Sequence, residues 1–324
     1  MGYKIGSFNL KNIGLTALSD KNDRDIEKIA EIIKGEEFDI VALQEVLSEG
    51  KAFTSENYAK KSILWELGPD WDFAWAEAKT RKSTINDPRN EGFAFVWNKR
   101  RMRLSTATLE DGTVRVFTPR ICEVKEVDGR QMMRKPYYAR FTPQGTFASS
   151  LFEIRLLCVH TYYGSNDNLL DREIRQNEID SLLTEVYPQI SDRVYKSNMP
   201  SYTFVLGDYN AELYRPWHDQ LQRRDPLYIK DVVTASRWDD MAIKTVQDQL
   251  TTLKRKQDNS DGGANNRYSH NYDHFSYEDS ERYDELNIRC KRVDAIRKYE
   301  GDDADKYKRE VSDHVPIMLS INLE

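Results

Sequence analysis

The sequence predicts an α+β protein: a four-layer α/β/β/α sandwich with two mainly antiparallel sheets packed face to face and helices outside. Three observations predict it. Apolar runs of strand length outnumber segments with helical spacing across the 324 residues. The turn pairs Asp111-Gly112 and Asp128-Gly129 mark hairpins, which join antiparallel strands. The strand runs also end repeatedly in polar residues, and sheet packed on sheet is the natural way to bury so many strands.

In order, Tyr3 to Asn9 alternates as a strand and ends in a carboxamide. Ile26, Ile29, Ala30 and Ile33 follow helical spacing, with Gly35 at the C-cap position. Phe38 to Leu43 is a second strand, ending in Gln44-Glu45. A helix is expected from about Thr54 to Glu66, stopped by Pro69. Trp71 to Trp75 reads as a short strand, Lys79 to Arg89 as an exposed loop, and Phe93 to Trp97 as a strand preceded by Glu91. Short strands and turns fill 102–140, with a strand at Tyr137 to Phe141. Phe152 to Val159 ends in His160. Asp167 to Val186 is the longest helix, with Leu170, Ile174, Leu182, Leu183 and Val186 on one side. Thr203 to Asn210 is a strand that delivers Asp208 and Asn210, two residues apart and so on one side of its end. The polar stretch of about 211–271 reads as an insertion into a single domain spanning 1–324. Arg289 to Ile296 is expected as a strand, Gly301 to Arg309 as a charged loop, and Val315 to Ile321 as the closing strand.

Composition narrows the class. Hydrophobic residues make up 39%, ordinary for a globular chain. No apolar run approaches the roughly 20 residues that span a bilayer, so no membrane association is expected. The N-terminal residues lack a basic-then-apolar signal pattern, which leads to a cytoplasmic expectation. Cys122, Cys158 and Cys290 have no knuckle spacing and give no disulfide framework. The net charge of −6 does not announce a nucleic-acid binder, but a metal-dependent nuclease needs acidic ligands, and local arginines can hold phosphate on an acidic surface.

The strand-end residues are Asn9, Gln44-Glu45, Glu91, His160, Asp208 and Asn210, Asp273, and Asp313-His314. Gathered at one rim, they would suit hydrolysis of a phosphate ester. Carboxylate and carboxamide oxygens suit a hard ion such as Mg²⁺, and imidazoles exchange protons near neutral pH.

Five blocks then match, in order, the endonuclease/exonuclease/phosphatase superfamily. They are Ser7-Phe8-Asn9, Val41-Ala42-Leu43-Gln44-Glu45-Val46, Val159-His160, Gly207-Asp208-Tyr209-Asn210-Ala211 and Ser312-Asp313-His314-Val315-Pro316. The chain most resembles the pancreatic-type deoxyribonuclease branch. The resemblance implies that Glu45 is the principal metal ligand, with Asn9 beside it and Asp313 a further metal-site acid. It implies that Asp208 binds or activates the attacking water and that Asn210 orients the phosphate. His314 resembles the catalytic histidine polarised by Asp273, and His160 the second histidine, paired with Glu91. Arg134 resembles a phosphate-contacting arginine, with Arg120 as a competing register. Tyr162 and Tyr163, just after His160, are candidates to stack on a base or sugar, alongside a purely structural role.

Some features depart from that branch. Leu47 stands where a groove-reading arginine is common, and Arg89 where a tyrosine is. His218 and His270 read as surface residues, His274 as non-catalytic, and Arg172 and Arg175 as surface charges. Lys254, Arg255, Lys256 and Arg267 read as a solvated run that could alternatively contact phosphate. The expectation is a Mg²⁺-dependent phosphodiester hydrolase, with Mn²⁺ or Ca²⁺ as other candidate ions, acting as a deoxyribonuclease of low sequence specificity. DNA is the expected partner, RNA a second, and a regulatory protein partner would restrain such an enzyme. The alternatives are a phosphatase or phosphodiesterase for a small-molecule or lipid phosphoester, and a non-catalytic binding module.

Overall fold

The computed structural model describes residues 2–14, 24–47, 53, 62–78, 91–123, 132–145, 152–164, 168–193, 199–212, 243–254 and 267–322. His218, the Asp128-Gly129 turn, Arg89, Lys256 and most of the helix expected at Thr54 to Glu66 lie outside the described residues.

The strands in chain order begin with β1 (Gly2–Ile13), β2 (Ile40–Val46), β3 (Trp71–Glu77), β4 (Gly92–Asn98), β5 (Met102–Leu104), β6 (Thr106–Thr108), β7 (Val114–Val116) and β8 (Arg120–Ile121). They continue with β9 (Tyr137–Pro143), β10 (Glu153–His160), β11 (Ser201–Asp208), β12 (Ile243–Val246), β13 (Thr252–Leu253), β14 (Tyr268–His270), β15 (Asp273–Glu278), β16 (Arg289–Arg292) and β17 (Ile317–Asn322). The helices are α1 (Ile26–Gly35), α2 (Ile63–Leu67), α3 (Leu169–Ser181), α4 (Tyr187–Ser191), α5 (Glu281–Asp284), α6 (Ala295–Tyr299) and α7 (Ala304–Glu310).

One sheet has the order β16-β17-β1-β2-β4-β3; the other runs β12-β15-β11-β10-β9-β5, with β8 also paired to β9. Among the described residues, only β1 with β2 and β10 with β11 pair in parallel; the remaining ladders are antiparallel. Three buried clusters separate four layers. Ile5, Ala42, Phe95 and Trp97 of the first sheet meet Tyr137, Leu156, Phe204 and Phe275 of the second. Ile29, Ile33, Ile296 and Tyr307 of the helices cover the outer face of the first sheet through Phe8, Val41 and Val96. Ile179, Leu182, Leu183 and Val186 cover the second through Leu157, Val159 and Val205. Alternation along each strand therefore feeds two cores, which is why the central strands are apolar on both faces.

The elements depart from expectation where short polar segments fold against their neighbours. The charged stretch expected as a loop holds α7, begun by Asp303, whose side chain accepts from the Lys306 amide. The strand expected at Arg289 to Ile296 stops at Arg292, and α6 follows. Leu170 was expected on the inner side of the long helix but is 61% exposed, and Arg175 and Glu178 are buried there instead. The helix passes from α3 to α4 through one wide π turn, Leu182–Val186, where the Tyr187 amide donates to the Leu182 carbonyl.

Within the stretch read as an insertion, β12 extends the second sheet by pairing with β15, and β13 pairs with β14. Thr252 also bridges to His314, the Leu253 amide donates to the Asp313 carbonyl, and the Val315 amide donates to the Thr251 carbonyl. This stretch thus braces the segment carrying His314.

Candidate active site

One rim collects the ends of both sheets. The first sheet brings Asn9 on β1, Glu45 on β2, Glu91 just before β4 and the segment Ser312 to Pro316 before β17. The second brings Arg134 ahead of β9, His160 and Asp208 at the ends of β10 and β11, and Asp273 at the start of β15.

The strand ends are shaped by backbone departures. The β1–β2 register shifts between Asn9 and Ile13, where Lys11 and Asn12 adopt φ of 47° and 61°. The β2–β4 register shifts between Leu43 and Val46, and Glu45 between them has φ 57°. Such bulges re-aim a side chain at a strand's end. Asn210, at φ 47°, turns the chain beyond β11. Side-chain residues rarely adopt these angles, and they persist where surrounding contacts hold them. Gly207 has φ 148°, and a Cβ there would sit 2.0 Å from the Val159 carbonyl oxygen, so only glycine fits beside β10.

Asp208 is the centre. Its Oδ2 accepts from Asn9 Nδ2 at 3.1 Å and lies 3.8 Å from His160 Nε2 and 3.6 Å from His314 Nε2. Its Oδ1 accepts from the Asn210 amide at 2.8 Å. The two imidazoles are arranged alike. His314 Nδ1 lies 2.8 Å from Asp273 Oδ2, and His160 Nδ1 lies 3.3 Å from Glu91 Oε2. Asp273 fixes the His314 ring by a hydrogen bond and Glu91 faces His160 as an ion-pair contact, and in both rings Nε2 faces Asp208. Burial works to lower the His314 pKa, but Asp273, Asp208 and Asp313 outweigh it and hold the value up at about 10. Burial and Arg134 pull His160 down; Glu91 and Asp208 prevail, and its pKa is raised.

Asn9 joins the acids. The same Nδ2 donates to Glu45 Oε1 at 2.9 Å, and its Oδ1 accepts from the Lys11 amide at 2.9 Å. Asn9 therefore acts here as a bridge between Glu45 and Asp208. Asp313 pairs with Lys11 Nζ at 2.9 Å. Burial would raise the Asp313 pKa, but His314 and Lys11 bring it below the ordinary value. Arg134 pairs with Glu91 at 2.9 Å and donates to the His160 and Thr161 carbonyls at 3.4 Å each. Arg120, the competing register, lies on β8 opposite Tyr138, away from this rim. Asn210 Nδ2 donates to the Thr161 carbonyl at 2.8 Å. Tyr162 OH donates to Asp171 at 3.2 Å, while Tyr163 is half exposed.

The carboxylates outnumber the cations at this rim: Glu45, Glu91, Asp208, Asp273 and Asp313 stand against Lys11, Arg134 and the charged His314. A divalent cation would balance that excess. Asp208, Asp273 and His314 bring possible ligand atoms within 4.8 Å of one another. His314 is bonded to Asp273 through Nδ1 and turns Nε2 toward Asp208, while Glu45 and Asp208, both within hydrogen-bond reach of Asn9 Nδ2, form a pair with oxygen donors alone. Oxygen donors of this kind suit a hard ion.

Some site-forming residues carried no sequence signal or were misread. Arg175 is wholly buried, not a surface charge, and its guanidinium donates to the Asn210 carbonyl at 2.7 Å. Glu178, one turn on, accepts the Met133 and Tyr162 amides and so ties together the segments bearing Arg134 and His160. Burial lowers the Arg175 pKa and raises that of Glu178. Stepping back four residues from Ile179 and Leu182 lands on Arg175 and Glu178, a helical signal that was there to read. Thr251 Oγ1 accepts the Tyr272 and Asp273 amides, and nothing in its polar surroundings marked it. His274 faces away from the rim, its ring nitrogens 2.9 Å from the Ala211 carbonyl and 3.2 Å from that of Gln247. His270 stacks on Tyr272 with centroids 4.6 Å apart and lies 3.0 Å from Glu212.

No protein-family model and no curated relative matches the sequence. Solved structures do. An endonuclease/exonuclease/phosphatase protein from Bacteroides vulgatus superposes with a TM-score of 0.54 at 14% identity, covering 100% of both chains. Truncated Caenorhabditis elegans TDP2 gives 0.51 at 13%, covering 99% of this chain and 98% of its own. A mannosyl-6-phosphatase from Bacteroides thetaiotaomicron gives 0.50 at 14%, covering 99% and 100%. At these identities the likeness is one of architecture: the chain has the four-layer fold of endonuclease/exonuclease/phosphatase proteins.

Proposed function

We propose that the chain is a divalent-metal-dependent phosphodiester hydrolase acting on DNA with little sequence preference. The observation that carries this reading is the convergence of two carboxylate-backed imidazoles, His160 and His314, on Asp208. A cation, Mg²⁺ in this reading, would be held by Glu45 and Asp208 and would offset charge on the phosphoryl oxygens. Asp208 positions the attacking water and takes its proton, and Asn210 orients the phosphate. His314, kept charged by Asp273, presents an Nε2–H that hydrogen-bonds the phosphoryl group and can protonate the departing oxygen. His160 offers a second donor, its Nε2 3.8 Å from the same Asp208 oxygen, and Arg134 adds a fixed positive charge beside it. No covalent intermediate on the protein is needed.

The test is a substrate panel of plasmid, single-stranded DNA and RNA with Mg²⁺, run beside Asp208→Ala. Cleavage by the native protein and none by the variant is expected; intact nucleic acid throughout would overturn the reading. A second reading, hydrolysis of a small phosphomonoester, draws on the full-length likeness to the mannosyl-6-phosphatase. Sugar phosphates in the same panel separate the two.

A further inference from the structure

Arg120, displaced from the rim, belongs to a second cavity. It has a volume of about 370 Å³ and lies along β7, β8 and β9, lined by Arg115, Phe117, Thr118, Arg120, Tyr138 and Arg140. By register Arg140 faces Arg155 across β9 and β10. Arg120 lies opposite Tyr138, which faces Leu157, so the cavity runs beside β10 from Leu157 to Arg155, roughly 10 to 16 Å before His160 by the rise per residue. This cavity is thus on the flank of the second sheet, apart from the catalytic rim.

Its charge is one-sided. Arg140 and Arg155 are both nearly inaccessible and share the carboxylate of Glu153, at 2.5 Å and 2.8 Å. The Arg155 guanidinium also donates to the Ile190 and Ser191 carbonyls at the end of α4, and that of Arg140 stacks 3.8 Å over the Phe117 ring. These contacts fix a planar guanidinium at the cavity wall. Arg115 and Arg120 add two exposed cations, and among the described residues no carboxylate pairs with either. Among the described residues, three arginines and no carboxylate therefore line this cavity, in a chain whose net charge is −6. Clustered arginines repel one another unless an anion intervenes, and a guanidinium fork matches the oxygens of a phosphate.

We propose that this cavity is an accessory anion site that takes a phosphate group, held by Arg115 and Arg120 against the fixed Arg140. The phosphate could come from a nucleic-acid strand that continues past the rim, or from a free phosphorylated ligand. The proposal stands apart from the catalytic reading, since it needs no metal and no turnover.

The test is calorimetric titration of inorganic phosphate into the full chain in excess chelator. Arg115→Ala/Arg120→Ala should weaken binding about tenfold, while Arg134→Ala, at the rim, leaves this component in place. Both altered arginines are exposed, and circular dichroism confirms the fold. A second arm measures a 20-nucleotide DNA strand across a salt series. A shallower salt dependence in the double variant assigns the phosphate to a strand. An unchanged one, with weakened phosphate binding, assigns it to a free ligand. Phosphate affinity in the double variant equal to that of the native chain, or abolished by Arg134→Ala alone, overturns the proposal.

Discussion

At Asp208 one carboxylate oxygen accepts from Asn9 on β1 and faces the Nε2 atoms of His160, on β10, and His314, before β17, at 3.8 Å and 3.6 Å. Its removal should therefore disturb more than a proton acceptor. Asp208→Ala is expected to lower kcat by about 10²–10⁴-fold, the range for a positioned acid–base group, with the fold retained in circular dichroism. His314 gives a prediction in stability. Its pKa in the fold, about 10, exceeds the ordinary value of 6.5, so the folded state binds that proton more tightly. The stabilisation is complete below pH 6.5 and is lost as pH rises through about 10. In chelator, the urea midpoints of the native chain and His314→Gln should differ most near pH 6 and converge toward pH 10. A gap that widens with pH would contradict the assignment. The residues of this rim were legible because polar side chains recur at the ends of apolar strand runs, as at Asn9, Glu45, His160 and Asp208, or at or just before their starts, as at Glu91, Asp273 and His314. Arg175 and Glu178 were not read because charged residues on a helix are ordinarily exposed.

At the scale of elements, the long strands and α1 could be read from apolar periodicity. The short elements α6, α7 and β12 to β14 could not, because their apolar residues are few and their pairing partners are remote in sequence. Nor could the left-handed turns at Glu45 and Asn210, which follow from bulges and cross-chain bonds and not from local propensity. Gly207 is the element-scale position with least tolerance. Gly207→Ala forces a methyl group against the Val159 carbonyl and should cost about 3 kcal/mol, visible as a lower urea midpoint. Arg175→Met keeps the bulk inside α3 but removes the donor to Asn210. If Asn210 orients the phosphate as proposed, the change should lower kcat by about tenfold or more with a smaller change in KM, because Asn210 is then held less firmly. A change in KM alone would show that Arg175 acts elsewhere.

For the whole molecule, three apolar clusters account for the architecture without any ion. Chelation should therefore abolish hydrolysis while leaving the far-ultraviolet circular dichroism unchanged. Added Mg²⁺ at 100 times its Kd should raise stability by about 2.7 kcal/mol, read as a higher Tm. Unfolding by chelator alone would mean the ion is structural. The sandwich itself was legible from strand count, yet the substrate was not, since the groups that surround a phosphate ester do not depend on what the ester joins.

Both imidazoles take their carboxylates from the opposite sheet. His160 leans on Glu91 across the gap, and His314 leans on Asp273 in the reverse direction. Asn9 reaches Asp208 the same way. The working distances of the rim are thus set by how the two sheets seat against one another through Phe95, Tyr137, Phe204 and their neighbours. The proposed hydrolysis would be a gauge of that seating. Mild denaturant or hydrostatic pressure that lets one sheet slip by a fraction of an ångström should silence the protein before either sheet comes apart.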